Sequence, residues 1–365
     1  VTGDGGLLHG LRVLDLSVWR PGPYATQLLA EIGADVLKVE PPGGDPMRGY
    51  PELFVSLNAN KRSVVLDLKQ DGDRRRALDL AADADVLVEG FRPGVAARLG
   101  MGYDDVAAVA PSIVYCSVSG MGQTGPHRLV PGHDLNYQAW AGALAPEGGA
   151  PAVSHLPIAD LAGGLAAAFA VCAAVVRRDR TGEGEYIDAA MTDVLATWTG
   201  AADPRRRDAD ASSSSSSAGG VPGYGMFATR DGGHITLGVL TEDHFWSALC
   251  RALALDDVSH LGFGDRMARV DELQQRVATA IAQCDRDALT SELVAVDVPV
   301  APVLDRSEML ALRHLRERDV ATSDPWADPA IGYPVRFERH PYKRTSAPPA
   351  LDEHRGSGFL PRDTG

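Results

Sequence analysis

Residues 12–40 read RVLDLSVWRPGPYATQLLAEIGADVLKVE, and the order of signals in this stretch decides the fold. Arg12-Val13-Leu14-Asp15-Leu16 is a short β-like run. Pro21-Gly22-Pro23 makes a turn, a helical pattern covers residues 24–32, and Gly33 closes it. Val36-Leu37-Lys38-Val39-Glu40 is a second strand. Strand, helix and strand within thirty residues imply parallel pairing, with helices covering both faces of the sheet. Working outward, residues 63–68, 85–88 and 112–116 give a third, fourth and fifth strand, with a helix over residues 74–82. The pattern predicts an α/β fold with a doubly wound, Rossmann-like parallel sheet. The turn after the first strand is not G-x-G-x-x-G. Pro21 and Pro23 lack the amide hydrogens that a phosphate cradle uses. Neither a nicotinamide nor a flavin cofactor is expected, and no metal centre.

A chain of 365 residues is long for one core, so two domains are expected. A long Ala-rich helix follows Asp160, and a second helical run covers residues 189–198. Residues 161–176 are apolar but lie between Asp160 and Arg177-Arg178, which predicts a buried helix and no membrane partner. At residues 203–220 the composition changes to DPRRRDADASSSSSSAGG, and Ser212–Ser217 reads as a solvated linker. The expected division is a large domain at 1–202, the linker at 203–220, a smaller α+β domain at 221–315, and a segment at 316–365. The smaller domain would hold a hairpin over 224–240, helices at 244–253 and 270–283, and an extended run at 298–304. The last fifty residues are rich in Pro and charge, with little room for a core of their own. They should pack back onto the large domain or a neighbouring subunit. A net charge of −14 and a pI near 5.1 argue against nucleic acid as a partner. Cys116, Cys172, Cys250 and Cys284 form no CxxC, and no secretory signal opens the sequence, so a cytoplasmic protein with reduced thiols is expected.

The chemistry is expected around Gly132-His133-Asp134-Leu135-Asn136-Tyr137. Pro131-Gly132 breaks the preceding segment, and Ala139, Ala141 and Leu144 suggest a short helix with His133 and Asp134 in its first turn. Unpaired amides at a helix start can hold a developing oxyanion, and an imidazole there can act as a base near neutral pH. Taken alone, Asp134 could simply cap this helix and Asp160 the next one.

Set in order, these pieces resemble family III CoA-transferases and the α-methylacyl-CoA racemases that share their fold. The resemblance spans nearly the whole chain. It rests on GLRVLDL at 10–16, GADVLKVEP at 33–41, LNANKRSVVLDLK at 57–69 and EGFRPGVAARLGMGY at 89–103. It continues through SGMGQTGP at 119–126, GHDLNY at 132–137, Asp160 with Gly163-Gly164, and TGEGEYIDAAMTD at 181–193. It implies an acyl-CoA thioester as substrate, no cofactor beyond coenzyme A, and two chains threaded into an interlocked homodimer. For coenzyme A it implies contacts at Leu66, Asp67, Leu68 and Lys69, at Gly90, Phe91, Arg92 and Arg98, and at Gly132, Asn136 and Tyr137. Lys38, Lys61 and Arg62 are further candidates for the phosphates. Relatives often carry Arg-Pro where Glu40 is followed by Pro41-Pro42, so Lys38 or Arg20 would have to substitute.

GHDLNY favours the racemase branch. There His133 would serve one face of the α-carbon and Asp160 the other, with Glu242 (or Asp243) sharing a proton with Asp160 and the Asp134 amide holding the enolate. In the transferase alternative, Asp160 is a nucleophile that passes through an acyl anhydride and an aspartyl-CoA thioester. A non-catalytic CoA-binding protein is the third reading.

Overall fold

The structure is a computed structural model, and it describes residues 6–144, 153–201, 220–324 and 326–362. Six strands form one parallel sheet in the order β3-β2-β1-β4-β5-β6. They are β1 (Arg12–Asp15), β2 (Asp35–Glu40), β3 (Lys61–Val65), β4 (Val86–Glu89), β5 (Val114–Ser119) and β6 (Glu185–Ala190). This is the doubly wound α/β arrangement expected from the strand pattern. Alternate side chains of each strand enter opposite cores. Val13, Val36, Val86, Val88, Val114 and Cys116 pack against α1 (Pro21–Glu31) and the long helix α7 (Ile158–Thr181). Leu14, Leu37, Val39, Leu87, Ile113 and Tyr115 pack on the other face against α3 (Asp71–Ala82) and α5 (Tyr103–Ala107). Near-continuous apolar strands are what a sheet covered on both faces requires.

α1 starts at Pro21 rather than Tyr24, because a proline fits the first turn, where its missing N–H is not needed. Gly33 closes it at φ +109°, with its Cα backed onto Gly6. α2 (Pro51–Asn58) precedes β3, α4 (Val95–Arg98) follows β4, and α6 (Asp134–Trp140) follows β5. β6 was not expected; it takes the first two residues of the helical run expected at 189–198, and the helix α8 (Met191–Ala201) begins only after it. α7 alone among the described residues is long and apolar enough to cross a membrane, but one face of it carries buried small residues against α1 and the sheet.

The chain divides into two compact units, one of residues 1–145, 152–204 and 312–365, the other of 146–151 and 205–311. The Ser212–Ser217 run lies outside the described residues. In the second unit β7 (Tyr224–Ala228) and β8 (His234–Gly238) form the expected hairpin, and β9 (Val300–Pro302) adds an antiparallel third strand. α9 (Asp243–Ala252), α10 (Phe263–Met267), α11 (Val270–Ile281) and α12 (Arg286–Ala295) complete it, around Trp246, Leu249, Leu273 and Ile281.

The C-terminal segment belongs to the first unit and seals the outer edge of β3. The Ser63 N–H donates to His354 Nδ1 (3.3 Å), the Val65 N–H to Asp352 Oδ1 (2.9 Å), and the His354 N–H to the Ser63 carbonyl (2.9 Å). Arg62 Nη1 reaches the Gly358 carbonyl, and the Leu360 N–H reaches Asp35.

Candidate active site

The order of the sheet reverses between β1 and β4, and ligands in such sheets bind beyond the strand ends at that switch point. Two turns meet there. A methyl group built on Gly90, after β4, would contact the Ser17 side chain after β1 at 3.5 Å. The β1 turn is held rigidly. Lys38 is fully buried, donates to the Ser17 carbonyl (2.7 Å) and pairs with Asp45 (2.9 Å). Asp45 also accepts the Trp19 N–H (3.2 Å), and Trp19 sits at φ +66°, a left-handed conformation costly for a tryptophan. The strained turn fixes the next residue, Arg20, at the N-cap of α1.

α7 brings Asp160 to this turn. A methyl group on Gly164 would come within 2.6 Å of the Pro21 carbonyl, and one on Gly163 within 2.5 Å of Met191. The two glycines therefore let the start of α7 close onto α1 and α8. Asp160, in the first turn of α7, then lies with Oδ2 3.9 Å from Arg20 Nε; the side chains are 18% and 26% exposed respectively. Its backbone N–H donates to Asp134 Oδ1 (3.1 Å), and Asp134 Oδ2 accepts from Gln138. Asp134 thus ties the first turns of α6 and α7 together. Burial raises the Asp160 carboxyl to about 6; the Asp134 charge adds to the rise and Arg20 opposes it. Such a carboxyl is ionised at neutral pH yet poorly solvated, which suits either a proton carrier or a nucleophile.

Tyr137 is buried and donates its hydroxyl to the Gly132 carbonyl. Burial raises its phenol, with the Asp160 charge adding to the rise. Gly120 and Gly132 both lie against the Tyr137 ring. His133 is the N-cap of α6; its N–H donates to Asn136 Oδ1 (3.0 Å) and its side chain is exposed. Glu242 belongs to the second unit, where it is the N-cap of α9. Asp243 beside it pairs with the buried Arg266 (2.9 Å), so its carboxylate already has a partner within its own unit.

The residues expected to hold coenzyme A fall into two groups. Leu66, Asp67, Leu68, Lys69 and Phe91 line one cavity of about 260 Å³, whose floor includes Leu16 and Val39. Its mostly apolar wall is suited to a flat heteroaromatic ring, with Lys69 at hand for an anion. Phe91 is held by its N–H to Glu89 Oε2 (2.7 Å). Burial raises the Glu89 carboxyl to about 7, against the hydrogen bonds from Ser117 and Phe91. Arg92 and Arg98 are exposed beyond this wall. Lys38 corrects the expectation: it is inside the protein, spent on Asp45 and Ser17, and cannot reach a phosphate. Lys61 is likewise fully buried on Asp15 (3.1 Å), and Arg62 is paired with Asp35 (2.8 Å). Arg20 does not replace the arginine missing after Glu40, because it faces Asp160. Glu40 itself is bound by Arg48 (2.6 Å), eight residues on. Arg20, Gln138 and Glu89 are site residues whose roles no local pattern announced; Arg20 was expected only as a substitute contact for a phosphate.

The sequence model of CoA-transferase family III matches residues 8–355. The succinyl-CoA:mesaconate CoA-transferase of Haloarcula hispanica is 34% identical, over 96% of this chain and 95% of that protein. The acetyl-CoA:oxalate CoA-transferase of Acetobacter aceti is 32% identical, over 95% and 94%. A solved CaiB/BaiF family protein from Brucella suis is 29% identical with a TM-score of 0.83, covering 96% of this chain and 97% of that one. With a family match across almost its whole length and full-length relatives above 30% identity, the chain belongs to CoA-transferase family III.

Proposed function

We propose that this protein moves coenzyme A from an acyl-CoA to a free carboxylic acid, with Asp160 as the nucleophile. The observation that carries the reading is a largely buried Asp160 carboxylate held between the Arg20 guanidinium and Asp134, raised to about 6 by burial. The transferase relatives favour this reading over the racemase, which the GHDLNY motif had put first. Both act on dicarboxylic acids by name, mesaconate and oxalate, so dicarboxylates and their CoA thioesters head the substrate panel.

The chemistry runs in four displacements. An Asp160 oxygen attacks the thioester carbonyl and expels CoA thiolate, forming an acyl-aspartyl anhydride. The thiolate attacks the Asp160 carbonyl and releases the donor acid as its carboxylate. The acceptor carboxylate attacks the aspartyl-CoA thioester, giving a new anhydride and thiolate. The thiolate attacks the acceptor's carbonyl, and Asp160 leaves as the carboxylate it was. A homodimer remains part of this reading, and coenzyme A enters only with the substrate.

The test is trapping. Hydroxylamine should convert Asp160 to its hydroxamate only when an acyl-CoA is present, read as a mass change on the peptide that carries it. A racemase would leave that peptide unchanged and would instead exchange the α-proton in D2O without any acceptor.

Two further results are expected. None of the four displacements moves a proton, so His133→Ala should slow transfer by less than about tenfold, against the 10²–10⁴-fold typical of a lost general base. Steady-state kinetics settle this. The nucleophile must be ionised, so kcat/KM for the acyl-CoA should rise with pH through about 6 and level above it. A profile flat from pH 5 to 8 would remove Asp160 from the rate-determining chemistry.

A further inference from the structure

Arg20 is placed by a built device rather than by chance. A strained Trp19, the buried Lys38–Asp45 pair and the glycine contact of α7 with α1 together set its guanidinium against Asp160. Among the described residues that guanidinium donates no hydrogen bond. Its ion pair with Asp160, at 3.9 Å, is too long to be one. It remains partly open to solvent, so its donors are available. The other charges facing Asp160 are Asp134, an anion, and more distantly Arg92 beyond Tyr137.

We propose that Arg20 exchanges partners during the reaction: it pairs with the Asp160 carboxylate in the resting enzyme, and with the acceptor's carboxylate once Asp160 has become a neutral thioester. This rests on Asp160 being the nucleophile. Conversion to aspartyl-CoA removes one negative charge from a desolvated position and breaks no bond to Arg20. The guanidinium is then left without a counter-ion, only partly exposed to water, and attracts the next anion. In the resting enzyme the same cation is neutralised and Asp134 repels carboxylates. The acceptor therefore binds well only after coenzyme A has been loaded, which prevents an idle acid from blocking the nucleophile. The bound acceptor also sits beside the carbonyl it must attack. The acceptor's carboxylate is spent in its attack and ends as the carbonyl of the new thioester, so Arg20 pairs again with Asp160 when Asp160 leaves as a carboxylate, and the cycle closes.

Two measurements test this, on the full-length protein. First, succinate, mesaconate and oxalate are titrated calorimetrically at pH 8 into wild type, Asp160→Asn, and Asp160→Asn with Arg20→Gln. The asparagine copies the neutral, acylated side chain. At least one acid should bind Asp160→Asn roughly ten- to a hundredfold more tightly than wild type, the range for a charge-assisted hydrogen bond. Arg20→Gln should abolish that gain. Equal affinity, or no binding to either protein, overturns the proposal. Second, Arg20→Gln should raise the KM for the acceptor acid at least tenfold. Formation of the Asp160 adduct from acyl-CoA alone, at pH 8, should fall by a clearly smaller factor than the acceptor step. Arg20→Lys should recover part of the acceptor KM, which a variant that merely misfolds would not show. An unchanged acceptor KM, or an equal loss in both half-reactions, overturns the exchange. If wild type forms no Asp160 adduct at all, it is the transferase reading that fails.

Discussion

Asp160→Ala is expected to lower CoA transfer by roughly 10⁴-fold or more, while the folded protein becomes no less stable. The rate falls because alanine offers no oxygen to the thioester and water cannot regenerate the aspartyl-CoA route. The fold persists because the contact that docks α7 onto α6 is made by the backbone N–H of residue 160, which alanine keeps. Stability should in fact rise. A carboxyl whose folded pKa is about 6 rather than 3.8 is costly to keep ionised inside the protein. That cost is absent below the unfolded pKa, grows as the pH rises towards 6, and is complete above it. At neutral pH it amounts to at most about 3 kcal/mol. Urea denaturation at pH 7.5 and an assay of thioester transfer measure the two halves of the claim. Retained transfer would remove the nucleophile; a large loss of stability would mean that the side chain is structural.

Lys61→Met is expected to destabilise the first unit by about 3–5 kcal/mol, the largest effect foreseen for a residue outside the site. Lys61 opens β3 with no exposed surface, and its ammonium donates to Asp15 (3.1 Å), Thr26 (2.8 Å), the Pro23 carbonyl (2.9 Å) and Asn58 (3.1 Å). Burial alone would push the Asp15 carboxyl up, but Lys61, Lys38, Ser17 and Thr26 bring it down to about 2. Methionine fills the volume but leaves Asp15 charged and dry. The double variant Asp15→Asn/Lys61→Met should recover most of the loss, because it removes both charges together. Denaturant midpoints of the three variants check the cycle. Asp15 also contributes to the pH dependence of stability: its share is present above pH 4 and is lost as the pH falls towards 2.

The sheet was legible because both of its faces are buried, so five strands announced themselves as apolar runs bounded by turns. β6 was not legible. Its sequence, EYIDAA, carries two acids and buries only its last two residues at the sheet's edge, so nothing in its pattern separates it from a helix start. The same physics hid the lysines. Lys38 and Lys61 stand in apolar strands like any alternating surface cation, and only the distant Asp45 and Asp15 that meet them make burial tolerable. The cavity wall at Leu66–Lys69 and Phe91 came through resemblance, and so did Asp160. Arg20 came through neither in its true place, since a cation in a Pro-rich turn gives no hint of a carboxylate 140 positions away that Gly164 lets approach it.

The strap that closes β3 has a consequence for how the protein is made. Synthesis runs from the N-terminus, so the parallel sheet is assembled while the outer rim of β3 is still bare. Its Ser63 and Val65 amides stay open until residues 352 and 354 have emerged. Until then the nascent chain presents an unpaired strand able to recruit a neighbour. Residues 352 and 354 act as the stitch that closes it. Polysomes that translate this message closely spaced should show the cost first, as chains joined through that rim before the stitch arrives.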